Sequence, residues 1–185
     1  MTSAQAPSPR ARKLLRSGLL VDLEHPRSAD IKFSDISHAL AHTIRFGGHG
    51  EHSTTVAQHS VHVSHICPPH LARWGLLHDA AEAYLGDMST ELKRVLPYFK
   101  ELERRFARAI SIHFDVPIAD VKHWDLISLL TERRDNGPFG IDDQELLGPR
   151  LCATDYPLDP IHYEVWGSER AECEFTDRAK ELGIK

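Results

Sequence analysis

No stretch of this 185-residue chain approaches the roughly 18 consecutive apolar residues of a membrane span. Gly18 to Leu23 is too short even for the core of a signal peptide, so neither a membrane partner nor secretion is expected. Cysteine is scarce. Cys67, Cys152 and Cys173 are odd in number, far apart and form no CxxC, which leaves neither a disulfide framework nor a thiolate zinc site legible. That usage fits a cytoplasmic location. An excess of basic charge is also missing: 22 Lys and Arg against 27 Asp and Glu give a net charge of −5. Proteins that grip nucleic-acid backbones normally show a basic domain, so no polymeric nucleic acid is expected as a partner. Strand signals are few, and nothing repeats at a fixed period.

What is present begins with length. At 41% hydrophobic residues, a chain of this size buries roughly two thirds of its unfolded surface and needs no staples to fold. One domain is expected over residues 18–185, preceded by a basic, acid-free, mobile tail over 1–17 that carries Arg10, Arg12, Lys13 and Arg16. Thirteen histidines are many for this length, and histidine is the commonest metal ligand.

The middle of the chain reads as helices. Ser34 is placed to cap one that stops before Gly47-Gly48, and Thr54 or Thr55 caps the next, which Pro68-Pro69 ends near Ile66. Another runs from about Leu71 to Tyr84 with Gly86 as terminator. Pro97 to Phe114 is amphipathic, a further helix covers about Ile118 to Asp135, and Ser168 caps a last one to about Leu182. Residues 136–165 hold four prolines and read mostly as loop. The expected fold class is all-α, a single-domain helical bundle.

Polar residues of ligand type that fall on core stripes carry the chemical signal, because a buried polar group must be paired or coordinated. At about 100° per residue, His59 shares a stripe with Val56, Val63 and Ile66, and His78 shares one with Leu71, Trp74 and Leu85. Glu82 follows His78 by one turn, and Asp79 lies next to it. In the helix after Pro117 the stripe is Ile118, Val121, Asp125 and Leu129. Taken singly, each has an ordinary structural explanation. Together they become a metal site when the helices pack as one bundle. Two imidazoles and two carboxylates suit Mn²⁺, Co²⁺, Fe²⁺ or Zn²⁺ better than an all-oxygen Mg²⁺ or Ca²⁺ cage.

A His, a downstream His-Asp pair and a later Asp, here His59, His78-Asp79 and Asp125, resemble the signature of HD-domain metal-dependent phosphohydrolases. The segments Val56-Ala57-Gln58-His59-Ser60 and Leu77 through Asp87 are most similar to the small branch containing bacterial and phage 5′-deoxynucleotidases. The resemblance spans about residues 20–182 and includes Ile44 to His49 and Trp166 to Phe175. It implies that His59, His78, Asp79 and Asp125 bind one divalent ion, that Glu82 and Asp87 handle the attacking water and the leaving group, and that Arg45 grips phosphate. Thr90 and Lys93 fall where the family has pocket-lining residues. Phe46 departs from it, standing where characterised nucleotidases have a tryptophan that crowds the ribose 2′ position, so sugar discrimination stays open.

The implied activity is hydrolysis of a 5′-(deoxy)nucleoside monophosphate to nucleoside and phosphate. The rival within the family is a (d)NTP triphosphohydrolase, and the rival from another class is a non-catalytic module that senses metal or nucleotide. Related proteins are commonly homodimers, and Pro97 to Phe114 offers a helical face for such pairing. The run Glu101 to Arg108 reads as a solvated helix face.

Overall fold

The chain first forms a short antiparallel hairpin, β1 (Arg12–Leu14) against β2 (Leu20–Asp22), turned at Gly18 where φ is +81°. The computed structural model describes residues 11–136, 159–160 and 163–185. Most of the loop expected over 136–165 lies outside them, as do residues 1–10, Cys152 and His162. After the hairpin the main elements among the described residues are helices: α1 (Phe33–His42), α2 (Val56–Ile66), α3 (Ala72–Leu77), α4 (Glu82–Leu85), α5 (Thr90–Val95), α6 (Pro97–Phe114), α7 (Lys122–Asn136) and α8 (Ser168–Glu181). The all-α single-domain expectation therefore holds among the described residues.

Residues 11–17, expected to belong to a mobile tail, are instead held in the hairpin. Lys13, on β1, sends its Nζ to the carbonyls of Tyr84 (2.9 Å) and Ala83 (3.3 Å), closing the C-terminal end of α4. A three-residue strand is too short to show a period-2 pattern, and its cap lies some 70 residues away, so no local signal announces it.

Thr55 caps α2, its side chain accepting from Gln58 N–H. Just before it, Ile44 and Thr55 form an antiparallel bridge. Arg45 N–H donates to Thr54 (2.9 Å) and Val56 N–H to Thr43 (3.0 Å). These bonds cinch the loop between α1 and α2, and so carry Arg45 to the N-terminal end of the helix that bears His59. Gly75 lets α3 lie close on α2: a Cβ there would stand 3.1 Å from Cys67 Sγ and 3.2 Å from Ser64 Cα.

Two expected helices differ in extent. The one expected from Leu71 to Tyr84 is interrupted at His78–Ala81, where the bonding tightens to i→i+3: Ala80 N–H to Leu77 O (3.0 Å) and Glu82 N–H to Asp79 O (2.9 Å). Such tight turns inside a helical stretch often mark functional positions. The one expected from Ile118 begins only at Lys122, and Ile118 is 54% exposed, outside the core. At α1 the helix begins one residue before Ser34, at Phe33, so Ser34 is not its cap.

The core joins all of this. Tyr84 stacks on Phe106 at 4.6 Å, which fastens α4 to α6, and Phe33 stacks on Phe175 at 5.8 Å, which fastens α1 to α8. Phe106 and Phe175 are fully buried, each contributing about 1.5–3 kcal/mol of burial free energy. Arg178 of α8 donates to Ser64 O (3.0 Å) on α2. With α2, α3–α4 and α7 held in one body, their polar residues meet inside it.

Candidate metal centre

Four side chains from three helical segments converge. His59 Nε2 lies 3.2 Å from Asp125 Oδ1 and 3.6 Å from Asp79 Oδ2. His78 Nε2 lies 3.2 Å from Asp79 Oδ2 and 4.0 Å from Asp125 Oδ1. Ligands at about 2.1 Å from a shared ion sit about 3 Å apart when adjacent and about 4 Å apart when opposite, and these separations fall in that range.

The imidazoles are oriented for this role. The Nδ1 of His78 donates to Gly75 O at 2.8 Å, and the Nδ1 of His59 donates to Glu132 Oε1 at 2.5 Å. A carbonyl and a carboxylate can only accept, so both Nδ1 atoms carry hydrogen and both Nε2 atoms face the cluster, the usual outer support of a metal-bound histidine. Both Nε2 atoms are buried and neither makes a hydrogen bond among the described residues. Each nevertheless stands 3.2 Å from a carboxylate oxygen, a contact that a proton or a cation shared with the carboxylates makes favourable. His59, His78 and Asp79 could therefore hold a metal ion, each offering one ligand atom within 4.8 Å of the others, with Asp125 beside His59.

The electrostatics agree. Burial works against charge on Asp79, but His78 and His59 outweigh it and hold the carboxyl well below its ordinary range. Asp125 is likewise held low against burial by His59 and His78, with its Oδ2 paired to Lys122 Nζ at 2.6 Å. His59 is pulled down by burial and by Arg45, yet Glu132 and Asp125 keep it at about 9. The proton on His59 thus offsets the local carboxylates, a task a metal ion would take over.

Glu132 and Ser128, on α7, were not singled out by sequence reasoning, although both sit at the heart of the site. Glu132 is fully buried and receives the Nε–H of Arg45 (2.7 Å) and the hydroxyl of Ser128 (2.9 Å) as well as His59. Its carboxyl, pushed up by burial, is brought down to about 2 by Arg45 and His59. The available signal is spacing: Asp125, Ser128 and Glu132 recur at three and four residues, one polar face on the helix that bears Asp125. His62, given no role from the sequence, extends the network with its Nδ1 at 2.8 Å from Ser128 Oγ and its Nε2 at 3.0 Å from Asp159 Oδ2.

Arg45 is buried beside the ligand set, its Nη1 3.9 Å from Asp79 Oδ2. Phe46 packs under it, 5.6 Å from guanidinium carbon to ring centre, in a backbone turn with φ of +57°. Glu82 is buried, and its Oε2 has no hydrogen-bond partner among the described residues. Burial first, then Asp79 and Asp87, push its carboxyl up to about 9. Asp87 is half-buried; burial raises it, Arg45 opposes and Asp79 adds to the rise. Lys93 reaches Glu82 Oε1 at 3.6 Å but pairs more closely with Glu103 at 2.8 Å. Thr90 is exposed at the start of α5, and no hydrogen bond or ion pair among the described residues joins it to the ligands.

A cavity of about 240 Å³ opens beside His78, Asp79 and Glu82 and is walled by Glu103, Arg104 and Ala107 of α6. Part of the face expected to be merely solvated therefore borders the site. Two larger clefts, about 430 and 630 Å³, lie along Glu24–Arg27 and the hairpin. They hold no ligand cluster among the described residues, so donor chemistry and not volume selects the site. No helix among the described residues is long and apolar enough to cross a membrane.

No family model matches the chain. Over 117 residues it is 42% identical to YfdR, an uncharacterized protein of Escherichia coli K12, the match covering 62% of this chain and 64% of that one. Over 118 residues it is 36% identical to an uncharacterized protein of Rhodobacter capsulatus, covering 58% of this chain and 60% of the relative. The chain thus spans about three fifths of the length of the curated relatives it matches.

Proposed function

We propose that this protein is an HD-type phosphohydrolase that uses one divalent transition ion (Mn²⁺, Co²⁺, Fe²⁺ or Zn²⁺) to cleave a 5′-(deoxy)nucleoside monophosphate to nucleoside and phosphate. The observation that carries the reading is the convergence of the buried Nε2 atoms of His59 and His78 on the carboxylates of Asp79 and Asp125, at 3.2–4.0 Å. The residues fit a metal, and the nearby groups fit what phosphate-ester hydrolysis asks of a protein. An ion held by these four side chains would polarise a phosphoryl oxygen and make nearby water more acidic.

The chain's own residues do the rest. Arg45, steadied through its Nε by Glu132, brings positive charge to the phosphate beside Asp79. Glu82 holds its proton at neutrality while its carboxyl stands at about 9. Positive charge at the neighbouring ligands lowers that value and frees the carboxylate to take a proton from water, the tuning that general base catalysis requires. The water oxygen bonds to phosphorus as the ester P–O bond breaks, and Asp87, kept protonated more readily by burial, gives its proton to the departing 5′ oxygen. The cavity beside Glu82 would receive the substrate.

The test is turnover. The full chain is incubated with dAMP and, separately, dATP in the presence of Mn²⁺, Co²⁺ or Mg²⁺, and the products are separated. Phosphate from dAMP is expected. Triphosphate from dATP with dAMP untouched would replace the reading with a triphosphohydrolase. Nucleotide-induced melting shifts with no product from either would replace it with a sensing module.

A further inference from the structure

A second group of metal-ligand side chains shares no residue with the centre above: His38 and His42 on α1 with Glu172 on α8. One ligand atom from each of the three lies within 4.8 Å of the other two. The i, i+4 spacing sets both imidazoles on one helix face, with ring centres 4.2 Å apart. Glu172, 134 residues after His38, reaches the same spot, its Oε2 3.1 Å from His38 Nδ1. That distance is already close to the separation of two ligands on one zinc ion, about 3.3 Å for bonds near 2.0–2.1 Å.

The tautomer of His42 favours coordination. Its Nδ1 lies 2.8 Å from the backbone carbonyl of His38, and since a carbonyl only accepts, the hydrogen is on Nδ1 and the lone pair on Nε2. This is the outer hydrogen bond that orients metal-binding histidines. Among the described residues the other ion pair of Glu172 is with Arg16, whose Nη1 stands 3.8 Å from Oε1 on a side chain 64% exposed. Two imidazole nitrogens and one carboxylate oxygen, half open to solvent, make a three-ligand set that water completes.

We propose that His38, His42 and Glu172 form a second binding site for a divalent transition ion of the zinc type, which joins α1 to α8. The site lies on the same helix pair that Phe33 and Phe175 join by stacking, so a bound ion reinforces the attachment of the last helix. It does not depend on the nucleotide reading.

Equilibrium dialysis of the full chain against Zn²⁺, with metal counted per chain, tests it. His42→Gln and Glu172→Gln should each hold one zinc fewer than wild type at a free Zn²⁺ that just fills the site. Their affinity there should fall by at least about tenfold, and they should lose the corresponding zinc-induced rise in melting temperature. His70→Gln, which alters an exposed histidine outside the cluster, should change neither. Asp79→Ala should keep the α1–α8 zinc, and Cu²⁺ added to that variant should give a resonance spectrum with two nitrogen couplings that drops to one on adding His42→Gln. Wild-type zinc content and affinity in both His42→Gln and Glu172→Gln would overturn the proposal, as would an equal loss in His70→Gln.

Discussion

Replacing Glu132 with Gln tests whether the metal centre is built from its outer support inward. The carboxylate receives three donors, from His59 (2.5 Å), Arg45 (2.7 Å) and Ser128 (2.9 Å), with no exposure to water. Gln keeps the shape but loses the charge, and its amide turns a donor toward either His59 or Arg45. The Arg45 guanidinium is then buried without its closest counter-charge, a change that costs about 3–5 kcal/mol when one member of a buried pair is removed. The pH route gives a similar figure. A carboxyl lowered from 4.5 to about 2 stores about 3 kcal/mol at 1.36 kcal/mol per unit. Because the folded value is depressed, that stability is fully present above about pH 5 and is lost as pH falls toward 2. For a chain of this size, 3–5 kcal/mol lowers the melting temperature by about 6–20 °C. The same change frees the His59 ring to rotate, so affinity for Mn²⁺ should fall about 10–100-fold. Calorimetric melting across pH 2–7 and Mn²⁺ titration give both readouts. A variant that melts within a degree of wild type at pH 7 and binds Mn²⁺ within twofold would refute the claim that Glu132 organises the site.

The division of labour between ligands and proton carriers predicts that Asp79→Ala loses both bound ion and turnover, whereas Glu82→Gln keeps the ion and loses about two orders of magnitude in kcat; metal analysis and a phosphate-release assay separate the two. Since His59 is held at about 9, an ion must displace its proton at neutrality, and apparent Mn²⁺ affinity should rise by up to about tenfold per pH unit from 7 to 8.5. A pH-independent affinity measured by calorimetry would contradict this. Gly86→Ala should cost about 1–3 kcal/mol in a denaturant melt, because Gly86 sits at φ +86° and ψ 158°, between Glu82 and Asp87, with open space around a would-be Cβ, so the penalty is backbone strain alone.

The inward histidines are legible because they obey local rules. His59 and His78 fall on apolar stripes, and their inward position follows from helical period alone. Asp125 faces His59 even though the stripe expected to carry it starts at Ile118, which is exposed and lies four positions before the helix begins at Lys122. The i→i+3 turn at His78–Asp79 was invisible to a 100° wheel, yet it lies where two consecutive residues bring donor atoms to one point. Glu132 escaped notice because an acid beside Arg133 and Arg134 reads as a surface charge until its neighbours from α2 and the Arg45 turn are known.

The sequence by itself determined that the chain folds as helices, which helices carry histidine inward, and where Thr54-Thr55, Gly86 and the Pro68-Pro69 pair stop and start them, because caps, breakers and periodicity act within a few residues. Only the tertiary structure decided that Glu132 ties Arg45 to His59, that Lys93 is drawn to Glu103, that Lys13 closes α4 and that Glu172 reaches His38. Those pairings join residues ten to more than a hundred positions apart, and their energies depend on burial and distance, which come into being only when the helices pack.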